Sequence, residues 1–310
     1  MQVLHGMNAI TDLPNGAALS IGNFDGLHLG HQRIIEALGD GPRAIVTFEP
    51  HPATVLRPEL APPRLSTAEQ KRALLEDAGI DAVLELPPSP EVLGQAPLAF
   101  WQRLVEEVRP SRVVEGEDFR FGKARGGDVA MMRQHAGGTE IVTIEPATAV
   151  LHDLSVVDVG SSLIRWLIAH GRVSDAARCL GRPYRLVGEV IRGYGRGRKL
   201  GIPTANLASR QLVPADGVYA GSVDGQPAAI SIGVTPTFDG MRRQTEVHIL
   251  DFDGDLYDKP LAVDLHHWVR PQVKFDGVEH LVEQLHRDFA TIRKTTASAV
   301  GRRAVSQTHG

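Results

Sequence analysis

Gly22-Asn23-Phe24-Asp25-Gly26-Leu27-His28-Leu29-Gly30-His31 carries residue types and spacing that could handle a phosphate. Small residues let backbone N–H groups approach an anion, and a helix N-terminus favours negative charge. The segment follows an apolar run at 17–21, which reads as a buried strand. It precedes residues 32–38, which have helical apolar spacing. His28 and His31 are three apart, so on a helical first turn they face the same way. Two imidazoles facing one anion can donate hydrogen bonds to charge that develops on a phosphate during transfer. A His-x-Gly-His pattern alone divides evenly between this chemistry and a Gly-rich turn with two surface histidines. The full string at a strand-to-helix turn favours the phosphate site.

A second cluster lies at 192–206, Arg-Gly-Tyr-Gly-Arg-Gly-Arg-Lys-Leu-Gly-Ile-Pro-Thr-Ala-Asn. Gly193, Gly195, Gly197 and Gly201 allow a loop to wrap closely around a ligand. Arg192, Arg196, Arg198 and Lys199 add positive charge, a combination that suits a polyphosphate. Composition alone slightly favours a mobile solvated loop. Thr204 and Asn206 follow a stiffening proline, and on an extended segment their side-chain oxygens point the same way. Oxygen ligands suit Mg²⁺, although the spacing alone favours an ordinary capped turn. Glu246 and His248 share one face of a strand, opposite Val247 and Ile249. A carboxylate there could take a proton from a hydroxyl; a solvated strand residue is the commoner case.

The elements that must position these residues change character along the chain. In the first half, strand runs at 44–48, 82–86, 112–115 and 140–144 alternate with helices at 67–78 and 98–108. That order predicts a parallel, Rossmann-like α/β sheet with helices on both faces. Ligands bind such sheets beyond the carboxyl ends of strands, where the 22–31 segment lies. Residues 162–181 read as two short helices interrupted at Gly171. After Gly181-Arg182-Pro183, short strands at 186–191, 218–223, 228–232, 245–250 and 261–268 predict an antiparallel β-barrel, closed by a terminal helix over 278–292. The expected domains are 1–182 and 183–296, with a flexible tail at 297–310.

The 310 residues suffice for two cores. A net charge of −4 argues against a general nucleic-acid binder. The single cysteine, Cys179, excludes an internal disulfide and a cysteine-based zinc cluster. No apolar run approaches the ~20 residues of a membrane span, and no basic-then-apolar leader opens the sequence. A cytoplasmic soluble protein is the resulting expectation; its expected partners are small molecules, with the chain a monomer or weak homo-oligomer.

Taken together, these segments resemble the prokaryotic bifunctional riboflavin kinase/FAD synthetases over residues 15–294. The 22–31 string is similar to that family's first motif. Thr47-Phe48-Glu49-Pro50-His51-Pro52, Gly116–Lys123, Ser161-Ser162-Leu163-Ile164-Arg165 and the 195–206 run follow in the family's order. Gly160, Leu163, Asp258 and Gln272 depart from the family pattern. The resemblance implies a nucleotidyltransferase domain that adenylylates FMN to FAD and a barrel that phosphorylates riboflavin to FMN. It implies that Gly22, Asn23, Phe24, Asp25 and Gly26 form a nucleotide loop and that His28 and His31 stabilise the α-phosphate. Ser162 and Arg165 would hold the outer phosphates, with Asp118 near the nucleotide and FMN. In the barrel, Gly193, Gly195, Arg198, Lys199 and Gly201 would close over ATP, Thr204 and Asn206 would hold Mg–ATP, and Glu246 would be the base. The competing expectations are a chain with only the kinase alive, a nucleotidyltransferase for another small phosphate, and a non-catalytic flavin- or nucleotide-binding protein.

Overall fold

Strands rich in Val, Ile and Leu, each followed by a helical segment, must bury both of their faces. The computed structural model describes residues 1–191, 202–237, 240–254, 256 and 259–306, and the side chains of these except 235–237, 240–242 and 297–306. The chain divides into two compact units. One is Met1–Ala149 with Val157–Gly160, the other Val150–Val156 with Ser161–Gly310.

The first unit runs β1 (Gln2–His5), β2 (Ala18–Ile21), α1 (Leu29–Ala37), β3 (Arg43–Phe48), α2 (Ala53–Leu56), α3 (Ala68–Asp77) and β4 (Ala82–Leu86). It continues through α4 (Pro90–Leu93), α5 (Pro97–Val108), β5 (Arg112–Gly116), β6 (Arg120–Phe121), β7 (Gly127–Asp128), α6 (Val129–Gln134) and β8 (Glu140–Ile144). The short strands β9 (Thr148–Val150) and β10 (Val156–Asp158) follow. Six strands form one parallel sheet in the order β1-β4-β3-β2-β5-β8. Alternate strand residues face opposite sides. Leu19, Ile21, Val46, Leu84 and Val113 join Trp101 and Leu104 in one core. Ala18, Ile45, Val83 and Val114 join Ile35 and Leu75 in the other. The expected helix at 67–78 is α3, fixed at its start by a reciprocal capping box between Thr67 and Gln70. The strand β1 escapes a sequence reading because Gln-Val-Leu-His holds only two apolar residues.

The strand order reverses direction at β2. From there the chain builds outward to β3 and β4, then returns to β5 on the other side. The crevice of such a sheet lies at this reversal. The β2–β5 ladder pairs only Ala18 with Arg112 and Leu19 with Val113. Just beyond it, Glu115, 2 % exposed, takes the place of ladder bonds. Its carboxyl accepts the Ile21 N–H at 2.7 Å and faces the Ser20 hydroxyl at 3.4 Å. Burial pushes the Glu115 carboxyl well above its ordinary value, against the Ile21 and Ser20 hydrogen bonds. A raised folded-state value means the folded form holds its proton longer than the unfolded form. The contribution is therefore full below the ordinary carboxyl range and is lost as pH rises through the folded value. Glu115→Gln should flatten the fall in first-unit melting temperature with rising pH. Glu115→Ala, which strands the Ile21 N–H, should cost about 1–3 kcal/mol. Thermal melts from acid to mildly alkaline pH check both; identical pH profiles for wild type and Glu115→Gln would contradict the assignment.

The second unit contains α7 (Ser161–Ala169), α8 (Val173–Leu180), β11 (Tyr184–Ile191), β12 (Ala205–Ser209), β13 (Gly217–Val223), β14 (Gln226–Thr237), β15 (Gly240–Ile249), β16 (Pro260–Arg270) and α9 (Val278–Ser306). The six strands close into an antiparallel barrel in the order β11-β12-β15-β14-β13-β16. Leu186, Tyr219, Ile230, Ile232, Val247, Val263 and Leu265 are buried. Ile292 of α9 packs with Ala220, Ala229 and Leu250.

Two observations bear on the expected domain bounds. The helices at 162–181, broken at Gly171 as read, fall in the unit of the barrel rather than with the sheet. The reason is local: the Ser174 hydroxyl donates to the His266 carbonyl at 2.9 Å, and a Cβ at Gly171 would come within 3.0 Å of the Tyr219 hydroxyl. The terminal helix also passes residue 292 and runs to Ser306, into the stretch expected as a tail. Its alanines and arginines are strong helix formers. Residues 307–310 lie outside the described residues.

Candidate active sites

The turn after β2 is built from left-handed backbone. Phe24, Gly26 and Leu27 have φ of 48°, 79° and 37°. A side chain at Gly22 would press on the Phe24 ring at 3.1 Å, so glycine lets that buried ring fold back. Phe24 lies 4.8 Å from the His31 ring. His28 is the N-cap of α1, with its Nδ1 accepting the His31 N–H at 3.4 Å. Because Nδ1 accepts, the proton of the neutral ring sits on Nε2. The two imidazoles stack with centroids 3.6 Å apart. Thus the predicted juxtaposition of His28 and His31 is present, with His28 one residue ahead of the helix.

Asn23 is exposed. The Asp25 carboxylate accepts hydrogen bonds from the N–H groups of Leu65 and Ser66 and from the Ser66 hydroxyl at 3.0–3.1 Å. The Ser66 hydroxyl accepts the Gly26 N–H at 3.1 Å. Asp25 therefore anchors the turn. Asp118 is exposed in the loop after β5, with Oδ1 curled to where a Cβ on Gly116 would be 3.3 Å away. His51 caps its own turn, its Nδ1 accepting the Ala53 N–H at 3.1 Å. Ser162, exposed, and Arg165, half-buried, lie three apart on α7 in the other unit.

In the barrel, register does the assembling. Asn206 of β12 stands opposite Glu246 of β15, and Glu246 stands opposite Ser231 of β14. Val247 and Ile249 are buried while Glu246 and His248 are half-buried, as the period-two reading requires. Asn206 is 8 % exposed, and its buried Oδ1 has no hydrogen-bond partner among the described residues. Such an atom is costly unless a ligand pairs it. Thr204 is half-buried two residues earlier on the extended approach to β12. Among the described residues no group of three or more His, Cys, Asp or Glu is placed to hold a metal. Neutral oxygens together with substrate phosphates are the donor set that Mg²⁺ accepts. Thr204 and Asn206 fit that set.

A cleft of about 390 Å³ is lined by Asp216, Ser231, Gln244, Glu246, Gln272 and Lys274 among others. Gln272 donates to the Ser231 hydroxyl at 2.9 Å and the Ile232 carbonyl at 3.1 Å. A second cleft, of about 370 Å³, is lined by Pro203, His248, Phe252, His286, Phe289 and Arg293 among others. There His248 Nδ1 meets the Pro203 carbonyl at 2.8 Å and its ring stacks on Phe289 at 5.0 Å. Arg270 pairs with buried Asp288 at 2.9 Å. Gly193, Gly195, Arg198, Lys199 and Gly201, like Asp258, lie outside the described residues.

One unit carries a strand-end turn with stacked histidines and the other a barrel with Asn206 opposite Glu246, and comparison with known proteins places the chain among bifunctional transferases. A family model described as FAD synthetase matches residues 10–156, and one described as riboflavin kinase matches residues 180–296. The bifunctional riboflavin kinase/FMN adenylyltransferase of Pseudomonas fluorescens is 38 % identical over 97 % of this chain and 100 % of its own. That of Escherichia coli K12 is 32 % identical over 95 % and 97 %. A crystal structure described as a macrolide-efflux protein from Streptococcus pneumoniae superposes with a TM-score of 0.82 at 27 % identity, covering 94 % of this chain and 99 % of that one. No helix among the described residues is long and apolar enough to cross a membrane. The chain belongs to the bifunctional riboflavin kinase/FMN adenylyltransferase family.

Proposed function

We propose that this chain phosphorylates riboflavin to FMN with ATP and then adenylylates FMN to FAD, releasing pyrophosphate. The kinase half is carried by one observation: a buried, unpartnered amide oxygen on Asn206 directly across the ladder from Glu246, which opens on a cleft. Riboflavin occupies the cleft at Glu246. The nucleotide base occupies the aromatic cleft at Pro203, which places its phosphates towards Thr204 and Asn206. Glu246 takes the proton of the terminal ribityl hydroxyl as that oxygen bonds to the γ-phosphorus, and ADP departs with the bridging oxygen. Thr204 and Asn206 hold Mg²⁺ with the phosphates; when bound, the ion neutralises charge on the transferring group. By the family resemblance, Gly193, Gly195, Arg198, Lys199 and Gly201 would contribute to ATP binding.

In the other reaction an FMN phosphate oxygen bonds to the α-phosphorus of a second ATP, and pyrophosphate leaves. No covalent enzyme intermediate is needed, because positioning and charge stabilisation suffice. His28 Nε2–H and His31 donate to charge developing on the α-phosphate, reinforced by the N-terminus of α1. Residues 22–26 shape the nucleotide loop and Asp118 stands by the nucleotide and FMN; for the outer phosphates, the family resemblance alone points to Ser162 and Arg165. The test is a chromatographic time course with riboflavin, Mg²⁺ and excess ATP. FMN followed by FAD is expected. Riboflavin left unchanged would promote the flavin-binding alternative, and FMN without FAD would leave only the kinase.

A further inference from the structure

Lys71 stands at a buried position of α3, one turn before Leu75, and is only 4 % exposed. A lysine is almost never buried to this degree without a paired role. Its Nζ lies 2.9 Å from Glu49 Oε2 and donates to the Thr47 hydroxyl at 3.4 Å and the Phe48 carbonyl at 3.3 Å. The Thr47 hydroxyl in turn donates to the Asn23 carbonyl at 3.4 Å, inside the turn that precedes His28. On the other side, Glu49 accepts a double hydrogen bond from Arg64 Nη2 at 2.6 and 2.8 Å, and Arg64 Nε donates to the Ser66 carbonyl at 3.2 Å. Ser66 closes the path, since its N–H and hydroxyl bond Asp25 and its oxygen holds the Gly26 N–H. The bonds thus form a ring that leaves the turn at Asn23 and re-enters it at Asp25 and Gly26.

That ring encloses the strained backbone of Phe24 and ends one residue before Leu27. Phe24 and Leu27 are non-glycine residues with φ of 48° and 37°. Residues persist in such conformations only where their surroundings over-determine them. Burial pushes the Glu49 carboxyl up, but Lys71 and Arg64 outweigh burial and hold it below its ordinary value.

We infer that Lys71 is a positioning residue for adenylyl transfer, fixing the 22–28 turn through Thr47 on one side and through Glu49, Arg64, Ser66 and Asp25 on the other. The inference rests on the adenylylation reading of that turn. Lys71 touches no reacting atom; it sets where His28 and His31 stand when charge develops on the phosphate.

The experiment uses the full-length chain and reads both activities from one preparation. Lys71→Met keeps the length of the side chain and leaves Glu49 paired with Arg64. It should lower kcat for FMN adenylylation roughly 10- to 100-fold, the scale of a misplaced catalytic group, with a smaller change in KM for ATP. Riboflavin phosphorylation, housed in the other unit, should be unchanged. Thr47→Val, which removes the hydroxyl that joins Lys71 to the Asn23 carbonyl but leaves Lys71 on Glu49, should reproduce part of the loss, and the double variant should be no worse than Lys71→Met. Lys71→Arg should recover part of the rate. Adenylylation at the wild-type rate in Lys71→Met and Thr47→Val overturns the inference. So does an equal fall in both activities with a lowered melting temperature, which would make Lys71 a support of folding alone. A wild-type chain that makes no FAD from FMN overturns the adenylylation reading itself.

Discussion

Glu246→Gln should lower riboflavin phosphorylation about 10²- to 10⁴-fold, the usual contribution of a general base, and leave FMN adenylylation intact. Gln has the shape of Glu but cannot take a proton from the attacking hydroxyl. The β12–β15 register that opposes Asn206 to position 246 does not depend on the charge, so Asn206 keeps its place. Binding of riboflavin and ATP should weaken far less than turnover, because the proton moves only in the transition state. Steady-state rates with riboflavin, and separately with FMN, read the two reactions in one preparation. A fall of both activities together, or a raised KM at unchanged kcat, would remove Glu246 from the base role.

The mirror result is expected at the strand-end turn. His28→Ala should reduce FMN adenylylation about 10²- to 10³-fold, the cost of one donor to developing charge, and spare the kinase. Alanine also removes the cap on α1, worth about 0.5–2 kcal/mol, and the stacking partner of His31. His28→Asn separates these effects. Asn is among the best N-caps, so the melting temperature should recover while the adenylylation defect persists. Recovery of the rate along with the melting temperature would reduce His28 to a helix cap.

Much of this was legible in the residues. The sheet strands are apolar runs bounded by Gly, Pro and polar turns, and their buried, two-sided packing is what a continuous apolar run means in a parallel sheet. The left-handed φ of 74° at Gly171 marks the break between α7 and α8. Glu246 and Asn206 were visible as types, but their juxtaposition was not, because register across β12 and β15 depends on barrel closure. The family resemblance puts Asp25 in a nucleotide loop, and the structure gives its carboxylate to Leu65 and Ser66, some forty residues on. Lys71 leaves only a faint signal in the sequence, a lysine on the apolar face of α3 where Leu75 follows. Glu115 left none, since a glutamate ending an apolar strand is ordinary until the neighbouring strand diverges. Gly181-Arg182-Pro183 is strong punctuation in the sequence, while the contacts that hold α8 to β16, such as Ser174 to His266, leave no local pattern.

The central claim is that one chain transfers two different phosphates of ATP at two sites. The measurement that tests it most directly follows label from ATP into the flavins, starting from riboflavin. Label at the γ-position should appear in FMN and be retained in FAD. Label at the α-position should appear in FAD and be absent from FMN. Neither label entering any flavin, or α-label entering FMN, would contradict the account.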